Sequence, residues 1–363
     1  MTLNRILMIF IAAGAVLGGA DKILGNRFGL GQRFDEGFAL MGPMALSMTG
    51  IICLAPVVPS WLGGVIRPAL AAVGIDPGMF GCVLAIDMGG YQLAMDLAQD
   101  PAIGAFSGII ASSMFGCTLV FTIPVGMSVL TEEDRPFFLR GVLAGLISMP
   151  VGLLAGGLLQ GLPFGTILYQ CVPIFLLSAI LLLGLIRFPD GTVRLFSGVA
   201  RVIQIAATVG LTLAAVEQIA GVTIFPGLTT AEEALTIVGS IAVVMLGSLP
   251  LAELLRRCLW RPFRWIGAKT GLNDASTTGL IVGAVTVMPA LAMVRDMDRR
   301  GKVLSGAFLV CGASAFAAHM GFAAAVQSEL VVPLLGGKFA GALLGLFFAM
   351  KMTSRDAKQE ISV

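Results

Sequence analysis

Ala85-Ile86-Asp87-Met88-Gly89-Gly90-Tyr91-Gln92 sets a carboxylate and a pair of glycines in the middle of an otherwise apolar segment, 79–97. An ionised side chain at bilayer depth costs about 2.5–3.5 kcal/mol on insertion scales, so it is kept where it faces a cavity or a partner. Two adjacent glycines loosen a helix and release backbone groups, which is tolerable at that depth only where protein or a water-filled cavity satisfies them. The stretch therefore reads as half of a substrate site inside a membrane protein.

Composition supports that class. Of 363 residues, 57% are hydrophobic and 12% charged, against about 25% charged in soluble domains, and the mean hydropathy is +0.96. The chain reads as an all-α polytopic membrane protein. A net charge of +2 gives no reason to expect a nucleic-acid partner. Cys53, Cys82, Cys117, Cys171, Cys258 and Cys311 are scattered, mostly within apolar segments, and read as small hydrophobes rather than disulfides or metal ligands. With one histidine, His319, no zinc-type cluster, no phosphate-binding loop and no dinucleotide fingerprint, neither a metal nor a cofactor nor an ATP-driven motor in this chain is expected. The run 6–20 reads as a first membrane helix rather than a signal peptide.

A span needs about 20 apolar residues. Nine segments qualify: 4–24, 38–59, 102–130, 137–160, 164–187, 195–220, 234–255, 303–326 and 330–352. Two more, 79–97 and 275–294, are interrupted, the first by Asp87 and Gly89-Gly90, the second by Thr286 and Pro289. Each either crosses as a broken helix, making eleven crossings, or is re-entrant as two half-helices about 13 Å deep at ~1.5 Å per residue. The basic residues separate these options. If both segments cross, the 22 Lys and Arg other than Lys338 divide 12 to 10 between the faces; if both return, Arg5 and Arg67 face the other twenty. The second division is the one the positive-inside rule favours, with the N-terminus outside and the C-terminus cytoplasmic. A crossing by 61–73 would satisfy the first half equally, although its counterpart 260–272 carries too many charges to cross.

An internal repeat accompanies this topology. Glu36, Gly42, Ala45, Met48 and Gly50 recur 197 residues on as Glu233, Gly239, Ala242, Met245 and Gly247, and Ser107-Gly108 recurs as Ser305-Gly306. The alternative is chance matching among Gly/Ala-rich helices. The expected organisation is a first membrane repeat at 1–160, a connecting helix and loop at 161–194, a second repeat at 195–352 and a polar tail at 353–363, the two five-element repeats being inverted. In secondary transporters such symmetry places the substrate near the midplane, where discontinuous helices present their ends.

Within that frame Asp87 and Tyr91 suit a small cation, which needs a fixed negative charge or aromatic faces in place of water. Alternatively, Asp87 pairs with an internal arginine or caps the half-helix that follows. Met88, Gly89 and Gly90 form the tip beside it, and Gln92 is placed to bond a hydroxyl or carbonyl. Thr286, Met288 and Pro289 form the corresponding break in the second segment, where proline frees a backbone carbonyl. His319 reads either as a proton relay or as a histidine bonded to a neighbouring helix. Glu36 and Glu233 read either as coupling-ion ligands or as helix-start residues favoured by the macrodipole. Asp96 and Asp100 read as solvated. Gly141-x3-Gly145, Gly152-x3-Gly156 and Gly341-x3-Gly345 permit close helix packing.

Four blocks carry a family likeness: Phe34-Asp35-Glu36-Gly37-Phe38-Ala39-Leu40-Met41-Gly42, Ala85-Ile86-Asp87-Met88-Gly89-Gly90, Met297-Asp298-Arg299-Arg300-Gly301-Lys302-Val303 and His319-Met320-Gly321-Phe322-Ala323-Ala324. Taken in order along nearly the whole chain, they resemble the EutH family, the ethanolamine transporters of ethanolamine-utilisation operons. The resemblance implies an integral permease of the bacterial inner membrane that is no enzyme and that carries a protonated amino alcohol. Asp87 would meet the ammonium, with Tyr91 and Gln92 nearby. The chain differs from the family pattern at Ala318 and at Thr286-Val287, which leaves a related amine as an alternative substrate. Other classes to be separated from a carrier are a small-molecule channel and a membrane sensor or assembly subunit. The partners implied are a small amine and the lipid bilayer, with a homo-oligomer open.

Overall fold

The computed structural model describes residues 3–86 and 89–360, and side chains in these except 59, 61–62, 259–270 and 354–360. Among the described residues every regular element is helical. In chain order the helices are α1 Leu3–Ile23, α2 Leu30–Ala39, α3 Met41–Leu54, α4 Val58–Ala72, α5 Gly90–Leu97, α6 Pro101–Ala105, α7 Ile123–Val129, α8 Arg135–Gln160 and α9 Phe164–Gln170. They continue as α10 Val172–Arg187, α11 Pro189–Ala220, α12 Ala231–Thr270, α13 Asp274–Val285, α14 Val287–Met293, α15 Arg299–Gly312, α16 Ala318–Val326 and α17 Val331–Glu360. Seven helical segments are long and apolar enough to cross a membrane, or eight if the α9–α10 pair, bent by 47°, is one span. The chain is a multi-pass membrane protein.

Backbone-close contacts at glycine hold the long helices together. α8 and α17 run antiparallel, with Gly156 against Gly337 and Gly152 against Gly341; a Cβ on Gly152 would come within 2.8 Å of the Gly337 carbonyl oxygen. α15 runs alongside α8, where a Cβ on Gly141 would meet the Val303 carbonyl oxygen at 2.0 Å. Without a hydrophobic drive between helices in lipid, such seams let dispersion and packing act at short range. Five of the six cysteines are buried and all six are free thiols, as the scattered pattern predicts.

Hydrogen bonds between helix ends fix which ends meet. At one end Asn4 Nδ2 donates to the Glu329 carbonyl at 2.6 Å, Gln160 Nε2 to the Ala102 carbonyl at 2.7 Å, and Thr229 N to the Cys53 carbonyl at 3.0 Å. At the other end Lys302 pairs with Asp134, and Arg33 approaches Glu253 at 3.8 Å. α4 starts four residues after α3 and finishes where Tyr169 Oη donates to the Val73 carbonyl at 2.6 Å, so it begins and finishes at the first end. A crossing by 61–73 is not adopted.

Besides the bend in the 164–187 segment and the start of α11 at Pro189 rather than 195, two boundaries differ from the sequence expectation in ways that bear on the site. The span expected at 38–59 occupies Leu30–Leu54, because the buried carboxylate of Asp21 accepts from the backbone N–H groups of Phe28, Leu30 and Gly31 at 2.8–3.0 Å and starts the helix early. Glu36 therefore lies inside α2 rather than at a helix start. The span expected at 303–326 is broken at 313–317 between α15 and α16. Within the break Ser314 has φ +51°, a left-handed conformation that a non-glycine residue keeps only when its surroundings impose it.

Candidate functional site

Both interrupted segments fold back on themselves. In the first, Pro77–Val83 forms a 3-10 turn, the chain reverses, and α5 returns beside it. A Cβ on Gly81 would sit 2.5 Å from that of Ala94, and one on Gly78 would sit 2.7 Å from that of Ala98, so the arms are antiparallel and in contact. One aspartate closes the base. Asp76 accepts from Gly78 N at 2.7 Å, from Asp100 N at 2.8 Å and from Gln99 N, while the Asp100 carboxylate accepts from Ala102 N and caps α6. In the second hairpin α13 and α14 are the arms. Asp298 closes its base by accepting from Asn273 N at 2.7 Å and from Gly301 N, which caps α15. Asp100 and Asp298, like Ser107 and Ser305, are 198 residues apart.

The tip of the first hairpin explains its glycines. Gly89, the N-cap residue of α5, has φ +86°, and a Cβ there would lie 2.1 Å from Cγ2 of Ile51 on α3. A Cβ on Gly90 would lie 2.4 Å from the Ser112 hydroxyl. The pair thus serves a left-handed turn and two close approaches rather than loosening a continuous helix. Asp87 and Met88 lie outside the described residues; Ile86 before them is fully buried.

The second tip is different. The helix breaks at Thr286, whose φ of −154° and ψ of 138° are extended, and not at Pro289. Pro289 falls in the first turn of α14, where the missing N–H would have had no intrahelical partner. The carbonyls released are those of Gly283 and Ala284, which accept from Ser314 N at 3.0 Å and Phe316 N at 2.9 Å. The second hairpin is therefore hydrogen-bonded to the break between α15 and α16. Thr286 is half-buried, whereas Met288 is 47% exposed and Pro289 is exposed.

Between α6 and α7 the chain is π-helical over Phe106–Gly116 and Thr118–Thr122. This wider helix is rare and concentrates at functional sites. It is enclosed by both halves of the protein. Gly108 packs on Tyr91, Gly116 on the Leu84 carbonyl, and Ser112 Oγ donates to the Gly81 carbonyl at 3.2 Å. From the other half, Lys338 Nζ on α17 donates to the Ser113 carbonyl at 2.9 Å, and Thr118 Oγ1 donates to the Val310 carbonyl at 3.1 Å.

Aromatic contacts complete the junction. Tyr91 meets Phe322 of α16 edge-on, with ring centroids 5.8 Å apart, and Phe316 in the break meets Phe339, beside Lys338, at 5.2 Å. His319 is 1% exposed, and its Nδ1 has no hydrogen-bond partner among the described residues. Tyr91, His319 and Lys338 thus belong to one buried junction where the first hairpin, the π-helix, the α15–α16 break and α17 meet. Gln92 is half-buried on the next position of α5. Glu36 is remote from the junction, bonded to Gln32 and Arg33. Glu233 lies in the first turn of α12, where its N–H donates to Thr230 Oγ1. Asp96 is exposed and its carbonyl accepts from Arg67 Nη2 at 2.9 Å.

Lys338 is the residue that sequence reasoning passed over. It is fully buried 11 positions into the 328–353 span, and a lone basic residue in an apolar run was its signal. An apolar cavity of about 320 Å³ lies beside the second hairpin, lined by Leu280, Ile281 and Ala284 with Arg256, and it adjoins the junction through Phe316 and Phe339. Tyr91, His319 and Lys338 do not line it.

The family model described as "Ethanolamine utilisation protein, EutH" matches residues 3–352. The chain belongs to the EutH family. Among its EutH-family relatives, "Probable ethanolamine permease EutH" of Listeria monocytogenes is 38% identical, over 100% of this chain and 99% of the relative. The Salmonella typhimurium protein of the same name is 34% identical, over 99% of this chain and 98% of the relative. "Uncharacterized protein YxeR" of Bacillus subtilis is 38% identical over 99% and 98%. No solved structure matches.

Proposed function

We propose that the protein carries ethanolamine, as the protonated amino alcohol, into the bacterial cell across the inner membrane, acting as a secondary carrier or facilitator. The substrate reading rests on relatives named probable ethanolamine permease. The mechanistic reading rests on one observation: a hairpin tip, a π-helical span and a broken span converge on a buried polar junction carrying Tyr91, His319 and Lys338. Discontinuous helices meeting at depth are how secondary transporters present backbone and side-chain groups to a dehydrated substrate.

In this reading Asp87 receives the ammonium, the Tyr91 face lies beside it, and Gln92 or Thr286 takes the hydroxyl. His319, buried with an unbonded Nδ1, lines the same pocket. The two hairpins enter from opposite ends of the bundle and their bases carry equivalent aspartate caps, Asp100 and Asp298, which supports two inverted repeats. The division of twenty basic residues against Arg5 and Arg67 supports an N-terminus outside and a C-terminus in the cytoplasm.

Proteoliposomes test the carrier reading. External labelled ethanolamine is expected to accumulate transiently when unlabelled ethanolamine is trapped inside, because a carrier exchanges and a channel does not. Flux unaffected by internal substrate makes the protein a channel.

A further inference from the structure

Lys338 does something that helix packing does not require. α17 is already held against α8 by the glycine seam of Gly152, Gly156, Gly337 and Gly341, a purely dispersive contact. A charged side chain within this span, fully buried and so without access to water in this fold, makes insertion harder rather than easier. Its ammonium is bonded to the Ser113 carbonyl at 2.9 Å, on the π-helix of the opposite half. The groups facing it from its surroundings include Ser113 from the π-helix, Cys311 from α15, whose Sγ packs against Gly341, and the buried His319 from α16. Backbone carbonyls of irregular helix, presented at depth between two halves of a bundle, are the donor set that transporters use to hold a coupling cation.

We propose that the Lys338 ammonium is a tethered resident cation, seated on the Ser113 carbonyl of the π-helix where an inorganic coupling ion such as sodium would otherwise sit, so that transport by this protein is independent of sodium. The inference deepens the transport reading above and rests on it. It also gives the lysine a role in a span otherwise built of small and apolar residues: a covalently tethered cation needs no ion gradient to load it.

Two measurements test it. Uptake of labelled ethanolamine into proteoliposomes is compared in sodium chloride and in N-methyl-D-glucamine chloride of equal ionic strength. Wild-type rates are expected to agree within about twofold, and a tenfold fall without sodium overturns the proposal. In parallel, the thermal midpoint of purified protein is followed against the same two salts for wild type, Lys338→Ala and Lys338→Arg. Lys338→Ala is expected to gain stability selectively from sodium chloride, whereas wild type and Lys338→Arg respond equally to both salts. A Lys338→Ala protein that ignores sodium and transports like wild type overturns the proposal. If Lys338→Ala does not fold, the wild-type salt comparison still decides. The thermal measurement needs no ethanolamine, so a protein that fails to transport ethanolamine yet shows the sodium-selective shift sinks the substrate reading and not this one.

Discussion

Gly89→Ala isolates the feature that lets the first hairpin close. Gly89 has φ +86°, and a Cβ there would lie 2.1 Å from Ile51 Cγ2. Placing an L-residue in the left-handed region costs about 1–2 kcal/mol, and forcing a methyl into a filled space costs about 1–3 kcal/mol. The expected destabilisation is about 2–5 kcal/mol, read by SDS unfolding of detergent-purified protein. The two contributions separate in a double-mutant cycle with Ile51→Ala, which removes the clash and leaves the dihedral cost. Coupling of about 1–3 kcal/mol is expected, matching the steric part. Gly198→Ala serves as the control, because outside its own helix and chain neighbours nothing lies within 4 Å of a Cβ there and the site is helical; it should be neutral or mildly stabilising. A Gly89→Ala protein within 0.5 kcal/mol of wild type, or no coupling to Ile51, would refute the geometry of this tip.

The aspartates that clasp the hairpins give further tests. Asp76→Ala and Asp298→Ala each remove at least two hydrogen bonds to a carboxylate, worth about 1.5–3 kcal/mol apiece; each variant should lose ~3 kcal/mol and show faster amide exchange at Gln99 or Asn273. Ser314→Gly should be neutral or stabilising by up to about 1 kcal/mol, since it relieves a left-handed non-glycine residue, and a loss above that size would mean that the Ser314 side chain is needed. On a Cys258→Ser background, which removes the one exposed thiol, single cysteines at Val73 and Gln99 should react with an impermeant maleimide from outside, and cysteines at Asp274 and Asp296 only from inside. Labelling of either pair from opposite sides would contradict a hairpin.

Hydropathy and charge together made much of the fold legible, each where its physics is local. Apolar runs set the long helices, and the division of basic residues argued that 79–97 and 275–294 return rather than cross; in the structure the arms of the first are antiparallel and the two ends of the second are hydrogen-bonded together through Asn273. What escaped depends on contacts distant in sequence. The segment 313–317 contains no proline and no charge, so it reads as continuous span, and its break is sustained by bonds from Ser314 and Phe316 to the second hairpin. Asp21 was unremarkable in sequence because its three backbone donors follow a turn that hydropathy does not register. Pro289 looked like the breaker, yet Thr286 is where the chain extends. Lys338 is averaged away in any window of about 19 residues, although its burial makes it the charge most expensive to leave unexplained.

The central claim is that a protonated amine is transported through the junction at the first hairpin's tip. Initial uptake of labelled ethanolamine into proteoliposomes, at a pH that keeps it an ammonium ion, measures this most directly when wild type is compared with Asp87→Asn. Wild type should saturate with concentration and be inhibited by unlabelled ethanolamine, while Asp87→Asn, eluting as a folded protein, should show only the linear leak of empty vesicles. Linear uptake by wild type, or saturable uptake by Asp87→Asn with the same half-saturation, would contradict the account.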